Sequence, residues 1–420
     1  MDAAMNGYMV RILGAVAASM MLASCQPARQ IKSVVRSDLF SIGYGLSENQ
    51  MDLSAGEDDS IDIVMREGIF HILDGSGKKV MKLSSYGDLL ALLYDPSRSP
   101  DLEIMKPATQ EAGQQTKTGT QGRFAAPIHF VAPEKIAVDA SQTIYVADRV
   151  ANPSARIYDA QSASYCDRIV RRFGAQGLEL PYLGQEGPGG SPFPYIISID
   201  AMGNDTLCIV SGSESAILVH HFSKTGNLLS SLRLSRESLP LPVSLSELTA
   251  GVKGIRIHAN VDKMLGSSAG ETFEIALKID YYKEYFDPES LAISREEFAG
   301  SWIFTLDGAN GRTLRSLAIV AENTDAAIPE LIGENSELYY LLSDMETTGT
   351  TAMAGKAALN QGSSRMLQLM DKNGKVQLRY RIDLPKGVSE IAVLKVSSAG
   401  QIYALLKADE NIRLVWWSYR

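Results

Sequence analysis

Apolar and polar residues alternate with a period of two along most of the chain beyond about residue 37. Such alternation is the signature of strands with one face covered. Ser60-Ile61-Asp62-Ile63-Val64-Met65 and Gly68-Ile69-Phe70-His71-Ile72-Leu73 read as strands, followed by the turn Asp74-Gly75-Ser76-Gly77-Lys78 and a strand from Lys79 to Leu83. The unit of two strands, an Asp/Gly turn and another strand recurs. A second copy holds Lys135 to Asp139, Thr143 to Asp148, Arg156 to Asp159 and Ser164 to Phe173. A third holds Ile196 to Asp200, Thr206 to Val210, Ile217 to Phe222 and Leu228 to Leu234. The fourth contains Thr272 to Tyr281, Ser301 to Leu306 and Thr313 to Ile319, and the fifth Glu337 to Leu342, Arg365 to Met370 and Lys375 to Leu384. A shorter last copy spans Ile391 to Ser397, Gln401 to Leu406 and Arg413 to Trp417.

Repeated four-stranded units that cannot each bury two faces predict an all-β chain folded as a β-propeller of six four-stranded blades. The last copy lacks an outer strand, and Asp38 to Tyr44 is the segment expected to complete it and close the ring. Gly-containing turns near 76, 160, 225, 309 and 373 are unevenly spaced, so insertions are needed, or seven or eight blades. Lys106 to Arg123 and Thr347 to Ser364 read as flexible surface insertions, and Tyr86 to Tyr94 and Leu291 to Phe298 as short helices decorating the ring.

The run Pro133-Glu134-Lys135-Ile136-Ala137-Val138-Asp139-Ala140-Ser141-Gln142-Thr143-Ile144-Tyr145-Val146-Ala147-Asp148 resembles an NHL repeat, with Ser141-Gln142 in place of that family's usual Gly-Asn turn. Weaker echoes occur at 199–207 and 397–404. The architecture, together with Phe40-Ser41-Ile42-Gly43-Tyr44-Gly45, is similar to propeller lipoproteins of unassigned function in spirochaetes and some other diderm bacteria. The resemblance implies six blades and transfers no function, because propellers host binding and several chemistries alike.

The N-terminus carries a different signal. Arg11 precedes an apolar run from Ile12 to Ala23 that has the length of a signal-peptide core and is too short for a bilayer span. It ends in Leu22-Ala23-Ser24-Cys25, which resembles the lipobox of bacterial lipoproteins. Residues 1–24 are therefore expected to be a signal peptide cleaved between Ser24 and Cys25. Cys25 would carry diacylglyceryl and acyl chains such as palmitate, 25–36 would be a tether, and 37–420 the propeller. Met5 or Met9 would make a better start than Met1, because the lead before Arg11 is long and holds Asp2. Several acyl chains anchor a protein stably. The expected location is a cell membrane or outer membrane, with the body in the periplasm or at the cell surface. Gln26 after the lipidated cysteine leaves the choice of membrane open.

Composition narrows the function. The 420 residues carry 40 Lys and Arg against 49 Asp and Glu, a net charge of -9. That balance argues against a general nucleic-acid binder. Three cysteines exclude a disulfide scaffold, and outside Cys25 only Cys166 and Cys208 remain, either as a disulfide or as two buried thiols. The five histidines, His71, His129, His220, His221 and His258, form no ligand motif; adjacent His220 and His221 point to opposite faces of a strand. Asp139, Asp200 and similar strand-end acids either bond the turn that follows or form a channel-mouth site. Gly187 to Pro192 is a glycine-rich loop between blades without a phosphate-binding helix, and Asp58-Asp59 and Glu296-Glu297 are solvated acidic pairs. No catalytic or metal-binding motif is present, and no cofactor is called for beyond the covalent lipid. Tyr281, Tyr282, Tyr285 and Phe286, with the pairs Tyr339-Tyr340 and Trp416-Trp417, are expected to place one member inward and one outward. These observations point to a membrane-anchored binding or scaffold module for an envelope protein, peptide or glycan. The alternative is a metal-dependent hydrolase or lyase of the NHL-like propeller kind, with its site at the channel mouth.

Overall fold

The computed structural model describes residues 31–53, 60–99, 102–103, 123–160, 164–269, 272–319, 328–345 and 364–419. The expected signal peptide, Ser24, Cys25, Asp58-Asp59 and nearly all of the two expected insertions lie outside them. The described chain forms six blades of antiparallel strands. The innermost strands are Ile61–Arg66, Lys135–Val138, Tyr195–Ala201, Ile255–Ala269, Glu330–Glu334 and Val388–Val396. Each touches the next, and the sixth touches the first, so the ring is closed. The protein is a six-bladed β-propeller.

Blade 1 continues outward through Ile69–Asp74, Lys79–Leu83 and Leu89–Tyr94, with Phe124–Pro127 added in parallel. Blade 2 continues through Ile144–Arg149, Arg168–Phe173 and Glu179–Gly184, and blade 3 through Leu207–Gly212, Ala216–Phe222 and Leu228–Ser235. Blade 4 has Thr272–Phe286, Ile293–Asp307 and Thr313–Ile319; blade 5 has Leu338–Asp344, Ser364–Asp371 and Val376–Asp383. Blade 6 has Ile402–Ala408 and Asn411–Ser418, and its outer strand is Val35–Gly43 from the other end of the chain. The strand takes in the last two residues of the expected tether, and Lys32–Ser33 also pairs along the outer strand of blade 5.

Six hydrophobic clusters hold the ring, one between each pair of neighbouring blades. A blade is therefore covered on both faces, which explains three departures from the sequence reading. Leu89–Tyr94 is a strand, not a helix: Leu92 and Tyr94 face blade 6 while Leu93 faces blade 2, so the segment has no polar face to alternate with. Tyr339 and Tyr340 are both buried, one against blade 4 and one against blade 6. Trp417 is buried as well, and Trp416 is half-buried against blade 1. The segment from Leu291 is not a helix either; strand starts at Ile293. Ile157–Asp159 and Ser164–Cys166 form a separate hairpin rather than the outer strands of blade 2. The uneven turn spacing has the same origin. The turn near 76 joins the second and third strands of a blade, that near 160 caps the separate hairpin, and those near 225, 309 and 373 join third to fourth strands.

The closing strand is fixed at three points. Ile42 is buried between blades 6 and 1, and Phe40 packs edge-on against Phe70 of blade 1 at 6.1 Å. The Tyr44 hydroxyl lies 2.7 and 2.9 Å from the carbonyls of Ala408 and Asn411. The connection that follows is pinned by buried charge: Asp74 accepts from the Asp52 and Gly77 N–H groups, and fully buried Lys79 donates to the Ser47 carbonyl at 2.8 Å. Truncating Ile42→Ala is expected to cost about 3 kcal/mol, typical of a buried aliphatic cut to alanine. Deleting 35–43 should abolish cooperative unfolding in urea; a deletion variant with an unchanged midpoint would mean that the ring closes without this strand.

Candidate functional site

Inner strands of a propeller all run the same way, so the connections sort to two ends. At one, the turn end, eleven connections such as 67–68, 139–143, 223–227 and 397–401 are each two to five residues long. The twelfth position at that end is where Ser418 finishes and Val35 begins. The opposite end, where the inner strands start, carries every long connection: 44–60, 95–134, 150–167, 236–254, 320–329 and 345–363. We call it the entry end. Two described structures rise from it.

The first is the hairpin of blade 2. Tyr158 and Tyr165 face each other across it with ring centroids 5.2 Å apart, and they are 56% and 67% exposed. Cys166, beside Tyr165, is buried and anchors its base with Asp167, which binds Arg156 and Arg168. Nearby, Arg168 lies over the exposed ring of Tyr195 at 5.6 Å.

The second is a ribbon. The first three strands of blade 4 are 15 residues long, and the fourth, Thr313–Ile319, pairs only with Ser301 to Leu306. Residues 255–261, 281–286 and 293–300 therefore project past the sheet. The helix Val243–Thr249 covers the ribbon with Leu245, and Tyr281 donates to the Pro240 carbonyl. Ring contacts stiffen it: Tyr282 with Phe298 at 5.7 Å, Arg295 over Tyr285 at 4.4 Å and Arg256 over Phe286 at 5.5 Å. Val243, Leu248, Val252, Leu291, Ile293 and Phe298 remain exposed around it. The aromatic cluster read from the sequence is thus split: Tyr281 is core, and its companions line the ribbon. The pair Glu296-Glu297 is on the ribbon, and Glu297 accepts from the Tyr285 hydroxyl at 2.8 Å.

The axis carries charge. Asp62 on the inner strand of blade 1 accepts the N–H of Ile136 of blade 2 at 3.0 Å and that of its neighbour Ile63 at 2.8 Å. Lys395 from blade 6 reaches it at 2.5 Å. Asp200 of blade 3 accepts from Ser198 and from the Gly266 N–H of blade 4. Asp262 of blade 4 accepts the Leu331 N–H of blade 5 at 3.2 Å and binds fully buried Lys278 at 3.0 Å; Lys278 also holds Asp280 at 2.8 Å. Burial raises the Asp200 carboxyl above its ordinary value against the pull of Lys395 and Lys263. Burial opposes the Lys395 ammonium, but Asp62, Tyr403 and Asp200 outweigh it and hold its pKa above the ordinary value. Lys395 is a third exposed, so it faces the channel.

The residues singled out in the sequence separate accordingly. Asp139 and Asp200 do not share a site. Asp139 bonds the Thr143 N–H at 2.8 Å and the Tyr145 hydroxyl at 3.0 Å, holding its own turn. Asp148, which ends the NHL-like run, receives the Val131, Ala132 and Arg149 N–H groups. The Cys166–Cys208 disulfide is not formed: both thiols are free and buried, and Cys208 points to blade 4, away from blade 2, which carries Cys166. His220 packs against Phe193 and His221 stacks on Phe273 at 4.0 Å, on opposite faces of their strand. His129 and His258 are exposed beside Asp95 and Glu284. Gly187–Pro188 adds a short strand to blade 2 ahead of the link to blade 3. No group of three or more His, Cys, Asp or Glu able to hold a metal occurs among the described residues. The sequence reading missed Asp62, Lys395, Asp262 and Lys278. Asp62 sat inside an alternating run as the only acid, which was the one signal available.

Two substitutions separate the axis charges. Asp62→Ala orphans two backbone N–H groups and the Lys395 ammonium, and should cost about 3 kcal/mol by urea unfolding. Lys395→Met leaves Asp62 its two backbone donors but removes its counter-charge, and should cost less, about 1–2 kcal/mol, because the ammonium is a third open to the channel. Equal losses would show that the ion pair, not the backbone clamp, carries the stability. His71 supplies a pH test. It is fully buried with neither ring nitrogen bonded, and burial and the Lys82 charge push its pKa down to about 3. The unfolded chain, with a value near 6.5, takes up a proton that the folded chain refuses. This contribution is intact above about pH 6.5 and is lost as pH falls toward about 3. His220, pushed down to about 4 by burial, acts in the same direction. His71→Leu should flatten the acid limb of the stability profile, and a variant whose profile parallels the parent's would exclude His71 as a cause.

No family model matches the chain, and no curated protein matches it. Solved structures similar to it include a member of the duf4221 family from Bacteroides vulgatus, at 10% identity over 93% of this chain and 99% of that one, with a TM-score of 0.40. A gluconolactonase from Xanthomonas campestris is 10% identical over 94% and 99%, with a TM-score of 0.38. The WD40 β-propeller domain of Doa1 is 10% identical over 92% and 97%, with a TM-score of 0.36. At such identities a likeness bears on fold alone.

Proposed function

We propose that the protein is a lipid-anchored cell-envelope propeller that captures another envelope protein on its entry end. The observation that carries this reading is the sorting of connections. Short hairpins close one end, whereas every long connection begins and finishes at the other, and the tyrosine hairpin and the blade 4 ribbon rise from it. Binding residues concentrate on loops held by a rigid scaffold, and exposed aromatic and aliphatic side chains supply the anchors of protein contacts. Tyr158, Tyr165, Tyr195, Val243, Leu248 and Phe298 are of that kind. The lipobox-like Leu22-Ala23-Ser24-Cys25 supports anchoring through Cys25. The channel supports the hydrolase or lyase reading less well, because the oxygens of Asp62 are already engaged by two N–H groups and Lys395.

Crosslinking in native membranes, with recovery through a C-terminal tag, tests the proposal. A single envelope protein is expected in the crosslinked product. The double change Tyr158→Ala and Tyr165→Ala should lower its yield about tenfold, equivalent to about 1.4 kcal/mol, while Leu229→Ala on the outer strand of blade 3 leaves it unchanged. Cys25→Ser should release the protein from membranes. Recovery of the protein alone, together with a thermal shift on adding Ca²⁺ or Zn²⁺, would favour the metal-dependent enzyme instead.

A further inference from the structure

We infer that the outer rim of blades 5 and 6, at the turn end, lies against a bilayer bearing anionic headgroups, so that the entry end points away from it. The inference rests on the lipid-anchor reading of Cys25 and adds the orientation. Three observations carry it. The first is where the chain enters the fold. Lys32–Ser33 runs along the outer edge of blade 5, and Val35–Gly43 is the outer strand of blade 6, beginning opposite Ser418 at the turn end. The anchored segment therefore departs from one sector of the rim.

The second is reach. Seven peptide units separate Cys25 from Lys32. Fully extended they span about 25 Å. A compact body of roughly 380 residues has a radius of gyration of about 21 Å and is about 55 Å across. The opposite rim, formed by blades 2 and 3, cannot touch the membrane while Cys25 is inserted in it. Lys32–Ser33 runs parallel to Val376–Asp383, which leaves the turn end, so the tether arrives at the rim from the turn side.

The third is charge. The three rim segments Lys32–Ser33, Val35–Gly43 and Val376–Asp383 hold Lys32, Arg36, Arg379 and Arg381 against Asp38 and Asp383, four bases to two acids. The excess is positive on a chain whose net charge is -9. Arg36 and Arg381 lie beside Asp38 and Asp383, at 2.9 and 2.7 Å. Surface bases are attracted to an anionic leaflet within a Debye length of it, and with Arg36 and Arg381 paired the excess is carried by Lys32 and Arg379. The acyl chains supply the anchoring energy, and the rim charge selects which side settles on the headgroups.

The full-length lipidated protein, purified from membranes and reconstituted in vesicles of neutral and anionic lipid, tests this. Single cysteines would be introduced at exposed sites: Gln377→Cys on the rim of blade 5, Ser231→Cys on the rim of blade 3, and Ser244→Cys on the helix at the entry end. Cys166 and Cys208 are buried and should not label. A fluorophore at each site is read by quenching from headgroup-labelled nitroxide lipid. Quenching at 377 is expected to exceed that at 231 and 244 by at least about fivefold, with the difference growing with anionic lipid. Equal quenching at the three sites, in protein that floats with vesicles, would overturn the orientation and leave the anchor intact. Protein that fails to float, and behaves as its Cys25→Ser variant does, would overturn the anchor reading itself.

Discussion

The inner strand of each blade turns one hydrogen-bonding edge toward the axis, where no further strand can pair with it. Backbone donors left there without partners would each cost free energy comparable to a lost hydrogen bond. Here carboxylates take them. Asp62 accepts from Ile136 of the next blade, Asp200 from Gly266 and Asp262 from Leu331, so blade 1 is clamped to 2, blade 3 to 4 and blade 4 to 5 by one device used three times. The Tyr403 hydroxyl takes the Met65 N–H across the junction of blades 6 and 1. The lysines follow from the carboxylates. A buried anion without a counter-charge is strongly unfavourable, and Lys278 and Lys395 supply that charge. The charged axis is therefore first a consequence of closing a sheet ring.

Closure depends equally on the outer edge of blade 6. Val35–Gly43 is separated from its partner strand by almost the whole chain, so the last blade is complete only when both ends of the propeller have met. Such pairing has a high loop-closure cost and makes the junction of blades 6 and 1 the natural last step of assembly. The buried charges at 52, 74 and 79 and the two carbonyls at the Tyr44 hydroxyl hold that seam shut from the entry side.

Short apolar strands bounded by Gly, Asp and Asn turns were legible in the sequence, and blade 3 is the best example, with all four strands read within a residue or two of their place although its second and third strands are buried on both faces. The closing strand was legible because a missing outer strand is a counting argument. Leu89–Tyr94 was not, since a strand buried on both faces has the apolar density of a helix. Nor was Ile293 to Phe298, where the ribbon leaves the blade and both faces meet water, erasing the alternation. The site was less legible than the fold. Asp139 and Asp200 look alike as strand-end acids. Their registers differ: the Asp139 N–H bonds Thr143 at the turn, as the Met202 N–H bonds Thr206, which puts Asp200 two residues earlier in its strand. Whether an acid bonds its own turn or the neighbouring blade is decided by that offset, and no local pattern encodes it.

The two ends of the ring obey different rules for the same reason. Strands one and two, and strands three and four, are antiparallel neighbours that a hairpin of a few residues joins without strain. Those joints all fall at the turn end. The entry end carries both the blade-to-blade links and the joints between second and third strands, which range from two residues at 409–410 to the connection 150–167 that holds the tyrosine hairpin, so it is the end that accepts added chain. Insertions such as the tyrosine hairpin and the projecting ribbon therefore accumulate where the six interblade clusters are least disturbed. With the oxygens of Asp62 committed to holding blades together, a ligand entering the channel would compete with the fold for the same hydrogen bonds. The partner proposed for the entry end would meet no such competition, and the surface there can diversify without reopening the ring.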